Sequence, residues 1–155
     1  MQFRTGVRLL VRVPVAEAAV IAPGDLVYFD GSKAAAAWDF PWTTDLATTR
    51  AAFAAAFLGV AYSGSEAGEA EPISVDISPM SFYETSGVLA IGDIGVPLGP
   101  AEDAGTLSNT VLEQTPAAEA IGRVMKTSAA NSTRIGASFA SAFHTGSANA
   151  NAAIG

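Results

Sequence analysis

A tight turn followed by an apolar strand occurs twice in this chain, and this repetition constrains the fold more than any other feature. The first copy reads PGDLVYFDG at residues 23–31, and the second reads IGDIGVPLG at residues 91–99. Glycine lets the backbone reverse, and an aspartate side chain accepts hydrogen bonds from nearby backbone amides. Each Gly-Asp pair therefore predicts a turn that feeds a strand, and the two pairs together predict a repeated unit.

Both copies continue in the same order along the chain. The first pair, at 24–25, is followed by a strand, an excursion and a second strand that contains Gly59. The second pair, at 92–93, is followed in the same way by a strand that contains Gly122. In each case a loop of small polar residues and a further strand come next. Short strands separated by Gly and Pro are typical of antiparallel barrels and sandwiches.

The strand pattern predicts a mainly β fold, either an antiparallel β-barrel or a sandwich, with two pseudo-repeated halves. The predicted strands lie within residues 6–15, 26–29, 58–78, 81–99 and 121–141. Pro14 either ends the first of them or marks it as an edge strand. The polar stretch 100–120 is predicted as a loop with a short strand near Thr110 to Leu112. We expect a single β domain over 1–142 with an N-terminal strand or arm, and a low-complexity tail over 143–155.

One short helix is predicted at about 44–57, inside the first excursion. Thr43 or Thr44 can cap it, and Asp45 complements the positive end of the helix dipole. Gly59 is placed to end it. The large apolar residues of this segment share one face and are expected to reach the core; they are Leu46, Phe53 and Phe57.

Composition argues against several functional classes. The chain has 155 residues, a net charge of −7 and no cysteine, so we expect no nucleic-acid partner, no disulfide and no thiolate metal site. No apolar stretch is long enough for a transmembrane helix, and the N-terminus does not resemble a signal peptide, so no membrane partner is expected. Half of the residues are hydrophobic and only 15% are charged, with a mean hydropathy of +0.33. A chain of this kind often buries part of its surface against partners.

Two segments are candidates for such contacts. Trp38, Phe40 and Trp42 alternate, so an extended segment would point all three in one direction. They could close one end of the core, anchor a partner or form a platform for sugar stacking. Arg4, Arg8 and Arg12 make a basic cluster near the N-terminus that fits either a solvated strand face or an acidic partner surface.

The sequence offers little that resembles a catalytic or cofactor site. The single histidine, His144, has no His-Glu-x-x-His motif around it, and no Gly-x-Ser-x-Gly motif or phosphate-binding glycine loop occurs. We therefore expect no catalytic residue, no metal and no cofactor. Most carboxylates lie in polar loops, and they are Glu66, Glu69, Glu71, Asp76, Glu84, Asp93, Glu102 and Asp103.

The repeated motifs resemble the capsid decoration, or cement, proteins of tailed bacteriophages. The resemblance spans roughly residues 18–140 and rests on AVIAPGDLVYFDG, FLGVAYSGS, GVLAIGDIGVPLG and AIGRVMKTSAANSTRIGASF. The predicted helix and the aromatic segment before it have no equivalent in the motifs of these proteins, and we interpret them as an insertion.

The resemblance implies a non-enzymatic virion protein on the outer capsid surface. Such a protein binds the major capsid protein, commonly as a homotrimer, and stabilises the capsid by bridging neighbouring capsomers. We expect Trp38, Phe40 and Trp42 to anchor this contact. The N-terminal arm, with Phe3, Arg4 and Arg8, would then be a strand available to a neighbour's sheet.

Other functions fit the same sequence. The chain could be a different phage structural component, such as a tail or fibre protein, or a cellular shell protein. It could be a carbohydrate-binding module that uses the aromatic segment from Trp38 to Trp42. A hydrolase with paired carboxylates, such as Asp76 and Glu84, is a further alternative.

Overall fold

Most of the chain is β-structure in a computed structural model that describes residues 1–88, 93–126, 133–144 and 149. Over these residues the strands are β1 (Gln2–Thr5), β2 (Leu10–Val13), β3 (Leu26–Phe29), β4 (Ala34–Ala36), β5 (Phe57–Ala61), β6 (Ile73–Asp76), β7 (Phe82–Val88), β8 (Pro97–Asp103), β9 (Thr106–Gln114), β10 (Gly122–Lys126) and β11 (Arg134–Phe139). One α-helix, α1 (Leu46–Ala56), and two 3-10 turns, Ala37–Asp39 and Ala117–Glu119, complete the described elements. None of these helices has the length and hydropathy that a bilayer crossing requires.

The strands divide between two sheets according to their position in the chain. The first half forms a five-stranded sheet in the order β2-β6-β5-β3-β4. The second half follows the order β7-β11-β10-β8-β9, with β1 added beside β7. The two orders are the same when β2 is matched to β7, β3 to β8, and so on along the chain. The predicted β fold with two pseudo-repeated halves is therefore confirmed.

Each sheet curls until its ends meet, so each half is a small barrel. In the second half β7 and β9 pair in parallel from Ser86↔Val111 onward. In the first half a parallel bridge joins Val15, just beyond β2, to Ala34 at the start of β4. The backbone amide of Ala34 also donates to the carbonyl oxygen of Pro14 at 2.8 Å. Closure at equivalent places removes most of the open strand edge in both halves.

The turn that begins each repeat is present in both halves, but the second lies three residues later than the sequence predicts. Gly92 lies outside the described residues, and the counterpart of Gly24 is Gly95. Both have a positive φ, 96° and 90° respectively, which favours glycine. The Gly24 amide donates to the Ala61 carbonyl and the Gly95 amide donates to the Val124 carbonyl, both at 2.8 Å.

The helix is confirmed, but both of its predicted ends are corrected. The N-cap is Asp45, whose carboxylate accepts a hydrogen bond from the Thr48 amide at 2.7 Å, and not Thr43 or Thr44. The prediction that Gly59 ends the helix is wrong, because α1 passes directly into β5 at Phe57. The predicted apolar face does reach the core.

Gly59 and its counterpart Gly122 serve a different purpose, which is close packing between strands. A Cβ atom on Gly59 would lie 2.2 Å from the carbonyl oxygen of Asp76, and one on Gly122 would lie 2.4 Å from that of Ser138. Both glycines therefore allow neighbouring backbones to approach more closely than a side chain would permit.

The prediction of a loop over 100–120 is wrong for most of this stretch, although the short strand predicted near Thr110 to Leu112 is confirmed as part of β9. β8 extends to Asp103, and β9 runs from Thr106 to Gln114, so the two strands form a long hairpin. Its turn is made by Ala104 and Gly105, which both have positive φ values of 50° and 85°. The second excursion is therefore mostly strand, whereas the first contains α1.

Two apolar clusters stabilise the molecule. One includes Val27, Leu58 and Val75 from the first sheet, and Phe143 packs against it. The other joins α1 and the opposite side of the first sheet to the second half, and its largest buried members include Phe53, Phe57, Leu98, Leu112 and Ile135. Since neighbouring residues of β3 enter different clusters, the first sheet is buried on both faces.

A buried cation joins the two halves. Arg50 of α1 is only 5% exposed, and its Nε donates to the carbonyl oxygen of Pro100 in β8 at 2.7 Å. Its guanidinium also forms an ion pair with Glu113 of β9 and lies 3.8 Å from a carboxylate oxygen of Glu119. This one side chain therefore connects the helix of the first half to three segments of the second.

Replacing Arg50 with methionine should lower the free energy of unfolding by about 3 kcal/mol, because breaking a buried pair leaves its partners uncompensated. Urea unfolding followed by circular dichroism measures this. The matched control is Arg12→Met, since the exposed Arg12 makes a long hydrogen bond of 3.4 Å to the Pro72 carbonyl. We expect that variant to change stability by less than about 0.5 kcal/mol. Equal losses in both variants would contradict the bridging role of Arg50.

Candidate interaction surface

The N-terminal strand brings two of the expected contact residues together. β1 pairs antiparallel with β7 of its own chain, so the arm already belongs to a sheet. The Phe3 ring packs edge-to-face on Tyr83, with 5.6 Å between ring centroids. The Arg8 guanidinium lies 3.7 Å from the centroid of Phe3 and 4.8 Å from that of Tyr62. Phe3 and Arg8 therefore form one stacked group on the protein surface.

Arg4 has an acidic partner within the chain. Its Nε donates to a carboxylate oxygen of Glu84 at 3.2 Å, and Arg134 forms an ion pair with the same carboxylate. The hydrogen bond from Arg4, assisted by the charge of Arg134, lowers the pKa of Glu84. Because Glu84 already compensates Arg4, a contact between Arg4 and an acidic partner would have to compete with this ion pair.

The aromatic segment does not present one face, so that expectation is wrong. The 3-10 turn Ala37–Asp39 interrupts the extended conformation that alternation requires. Phe40 points to the core, where it packs edge-to-face on Tyr28 at 4.9 Å and on Phe53 at 5.3 Å. Trp38 and Trp42 stay 46% and 38% exposed. The core interpretation therefore holds for Phe40, and the two tryptophans remain available for contacts.

The two groups of expected contact residues line separate clefts. Phe3 and Arg8 line one cleft together with Gly24. Trp38 lines another together with Asp25. The clefts have no lining residue in common, although the turn at residues 23–25 contributes to both.

A further surface was not found by sequence reasoning. We call it the N-terminal apolar surface, and it consists of Val7, Leu9, Leu10 and Met80. Val7 and Met80 are 63% and 68% exposed. The two chain segments lie side by side, because the Ile77 amide donates to the Leu9 carbonyl at 2.9 Å. The only sequence signal for it was the Val- and Leu-rich run within 6–15, which we interpreted as strand.

Among the candidate carboxylates, Asp76 has a structural role, because both of its carboxylate oxygens accept hydrogen bonds from other residues of the chain. One oxygen accepts from the backbone amides of Leu9 and Ser78 at 3.1 and 3.0 Å. The other accepts from the hydroxyls of Ser81 and Tyr83, both at 2.6 Å. Burial and the hydrogen bond to Asp76 raise the pKa of Tyr83. Asp76 thus ties the N-terminal segment to the crossing between β6 and β7.

The other side chains considered as catalytic or metal-binding residues include three glutamates and the single histidine. Glu66, Glu69 and Glu71 are exposed in the loop between β5 and β6. The Nδ1 atom of His144 is buried without a hydrogen-bond partner among the described residues. Within the same residues, no group of three or more His, Cys, Asp or Glu side chains is arranged to hold a metal ion.

Comparisons of this chain with protein-family models, with curated proteins and with solved structures find no match.

The ion pair between Arg4 and Glu84 should make stability depend on pH in a defined direction. The pKa of Glu84 is depressed in the folded protein, so its stabilising contribution is present above the unfolded value and is lost as the pH falls through the folded value. We expect Arg4→Gln to lower the urea midpoint at pH 7, with this deficit shrinking at a second, acidic pH below the folded pKa of Glu84, where the carboxyl group is protonated in both states. Arg12→Gln removes the same charge from a residue that forms no ion pair within the described part of the chain, and it serves as the control. A deficit of Arg4→Gln that is equal at both pH values would contradict the assignment.

Proposed function

We propose that this protein is a non-enzymatic virion component that decorates the outer surface of a bacteriophage capsid. It binds the major capsid protein and bridges neighbouring capsomers, and it does so as a homotrimer. The N-terminal apolar surface is the observation that carries this proposal. The resemblance of the repeated motifs to decoration proteins supplies the class of partner.

The N-terminal apolar surface has the chemistry of a protein contact. Exposed apolar side chains on adjoining segments lose contact with water when a partner covers them. Arg8 lies between Val7 and Leu9 in sequence, and its guanidinium lies 4.8 Å from the centroid of Tyr62. Methionine, tyrosine and arginine are enriched in interfaces. The residue types of this part of the chain are therefore suited to a protein contact.

The fold suits a mechanical role. Two closed barrels are held together by Arg50 and by a shared apolar core. Asp76 and Glu84, the carboxylates considered for hydrolysis, are engaged in hydrogen bonds and ion pairs that stabilise the chain. A body held together in this way can add buried area across a seam between capsomers. A specific interface typically buries about 1,600 Å² in total.

Self-association is supported by the position of β1. This strand pairs with β7 on one side, and within the described residues its other side has no strand partner. Such an edge can pair with a strand of a second copy.

Co-sedimentation of the purified chain with capsid shells of its source phage tests the proposal. We expect saturable binding at a copy number that matches a local symmetry axis. Met80→Glu places a charge in the N-terminal apolar surface and should weaken binding at least tenfold, which corresponds to about 1.4 kcal/mol. Met125→Glu is the matched control, because Met125 is 48% exposed on β10 in the second half. It should bind like the unmodified chain.

Absence of binding to shells would overturn the proposal. Binding to tail or fibre proteins in its place would favour a different structural role in the virion. Equal binding by both methionine variants would show that the N-terminal apolar surface is not the contact.

A further inference from the structure

A cleft lies at the seam between the two barrels and is lined by both halves. Its volume is about 330 Å³, near the lower end of the range of roughly 300–1,000 Å³ for small-molecule sites. The residues that matter for recognition are Val20, Asp25, Trp38, Asp103, Ser108 and Asn109. The cleft is separate from the N-terminal apolar surface.

Trp38 forms an exposed aromatic wall whose position is fixed. Its backbone amide donates to Oδ1 of Asn109 at 2.9 Å. Its ring Nε1 donates to Oδ2 of Asp39 at 3.0 Å. These bonds hold both the backbone and the indole while 46% of the residue stays exposed. A held ring loses little conformational freedom when a ligand stacks on it.

The floor of the cleft is a buried polar link between the two halves. Asp25 is 7% exposed, and its Oδ2 accepts from the Ala22 amide at 2.9 Å and from Nδ2 of Asn109 at 3.2 Å. Burial raises the pKa of this carboxyl group. Asn109 thus contacts Asp25 and Trp38 at once, so it fixes the geometry of the floor and of the wall.

The remaining lining groups can hydrogen-bond a polar ligand. The Asp103 side chain is exposed and can accept hydrogen bonds from hydroxyl groups. Oγ of Ser108 accepts from the amides of Thr110 and Val111 at 3.4 and 3.1 Å, and a hydroxyl group that accepts can also donate its own proton. A flat aromatic face beside such groups matches a sugar ring, which has apolar C–H faces and a rim of hydroxyls.

The charge of the cleft limits the class of sugar. The lining residues include two carboxylates, and none of the described ones is Lys or Arg. The α-ammonium of Met1 acts on Asp25 and offsets part of its charge, so the exposed carboxylate of Asp103 is the group that would repel an anionic sugar but not a neutral one.

We propose that this cleft binds a neutral pyranose, with one face of the sugar ring stacked on Trp38 and its hydroxyl groups hydrogen-bonded to Asp103 and Ser108. This activity does not depend on the decoration role. A decoration protein with such a cleft would carry a glycan-binding site in addition to its capsid contact.

Titration with methyl glycosides tests the proposal. The neutral probes are the methyl pyranosides of glucose, galactose, mannose and N-acetylglucosamine, and the anionic probe is methyl glucuronide. Saturation-transfer NMR detects binding independently of the tryptophans, and tryptophan emission reports on the wall. We expect at least one neutral glycoside to bind saturably and the glucuronide to bind at least tenfold more weakly.

Two tryptophan variants provide matched controls. Trp38→Ala should abolish the saturation-transfer signal, whereas Trp42→Ala should retain it, because Trp42 is exposed on the same segment but does not line the cleft. Asp103→Asn should weaken binding several-fold without affecting the fold. Matching urea midpoints for all variants would show that each is folded.

Several results would overturn the proposal. One is that no neutral glycoside binds saturably even when its concentration is raised well above about 1 mM, which is the dissociation constant at the weak end of specific affinity. Another is equal binding by Trp38→Ala and the unmodified chain. Preference for the glucuronide would contradict the argument from charge. None of these results would affect binding to capsid shells, because Met80 lies outside the cleft.

Discussion

The buried guanidinium of Arg50 is the interaction on which the arrangement of the two barrels depends. It projects from α1, whose place in the second half is taken by the short 3-10 turn Ala117–Glu119, and it reaches β8, β9 and that turn. A cation removed from water must find acceptors, and all of these acceptors come from the other half. The helix and the long hairpin therefore fix each other, and with them the seam in which Asp25 and Asn109 meet.

The two halves have the same strand topology, and they differ around the cleft beside Trp38. Both halves have a glycine turn before the second strand, a glycine that allows close strand packing and a sheet that closes on itself. The chain therefore contains the same small barrel twice. The first half carries the aromatic segment and α1 after the short β3–β4 hairpin, whereas the second half has the longer β8–β9 hairpin in the equivalent place. This asymmetry creates the cleft beside Trp38. The crossing between β6 and β7, fixed by Asp76, supports the N-terminal apolar surface.

Much of the fold could be predicted from the sequence, and the failures have physical causes. Turn chemistry and β-branched runs located β3, β5, β6 and, in the second half, β7, β8, β10 and β11. Only a short piece of β9 was predicted, because Leu107 and Leu112 are buried five positions apart and a register shift between Pro100 and Glu102 breaks the alternation. Phe40 was misjudged because a 3-10 turn changes the direction of its side chain. Met80 carries no periodic signal, so its exposure follows only from the path of the chain between β6 and β7.

Cryo-electron microscopy of capsid shells saturated with the purified chain tests the central claim most directly. The account predicts density for paired barrels on the outer surface, at a local symmetry axis, with Val7 and Met80 against the capsid protein and the cleft beside Trp38 facing outward. Ordered density with Val7 and Met80 turned toward solvent would contradict the proposed contact. Shells without added density under saturating conditions would contradict the decoration role itself.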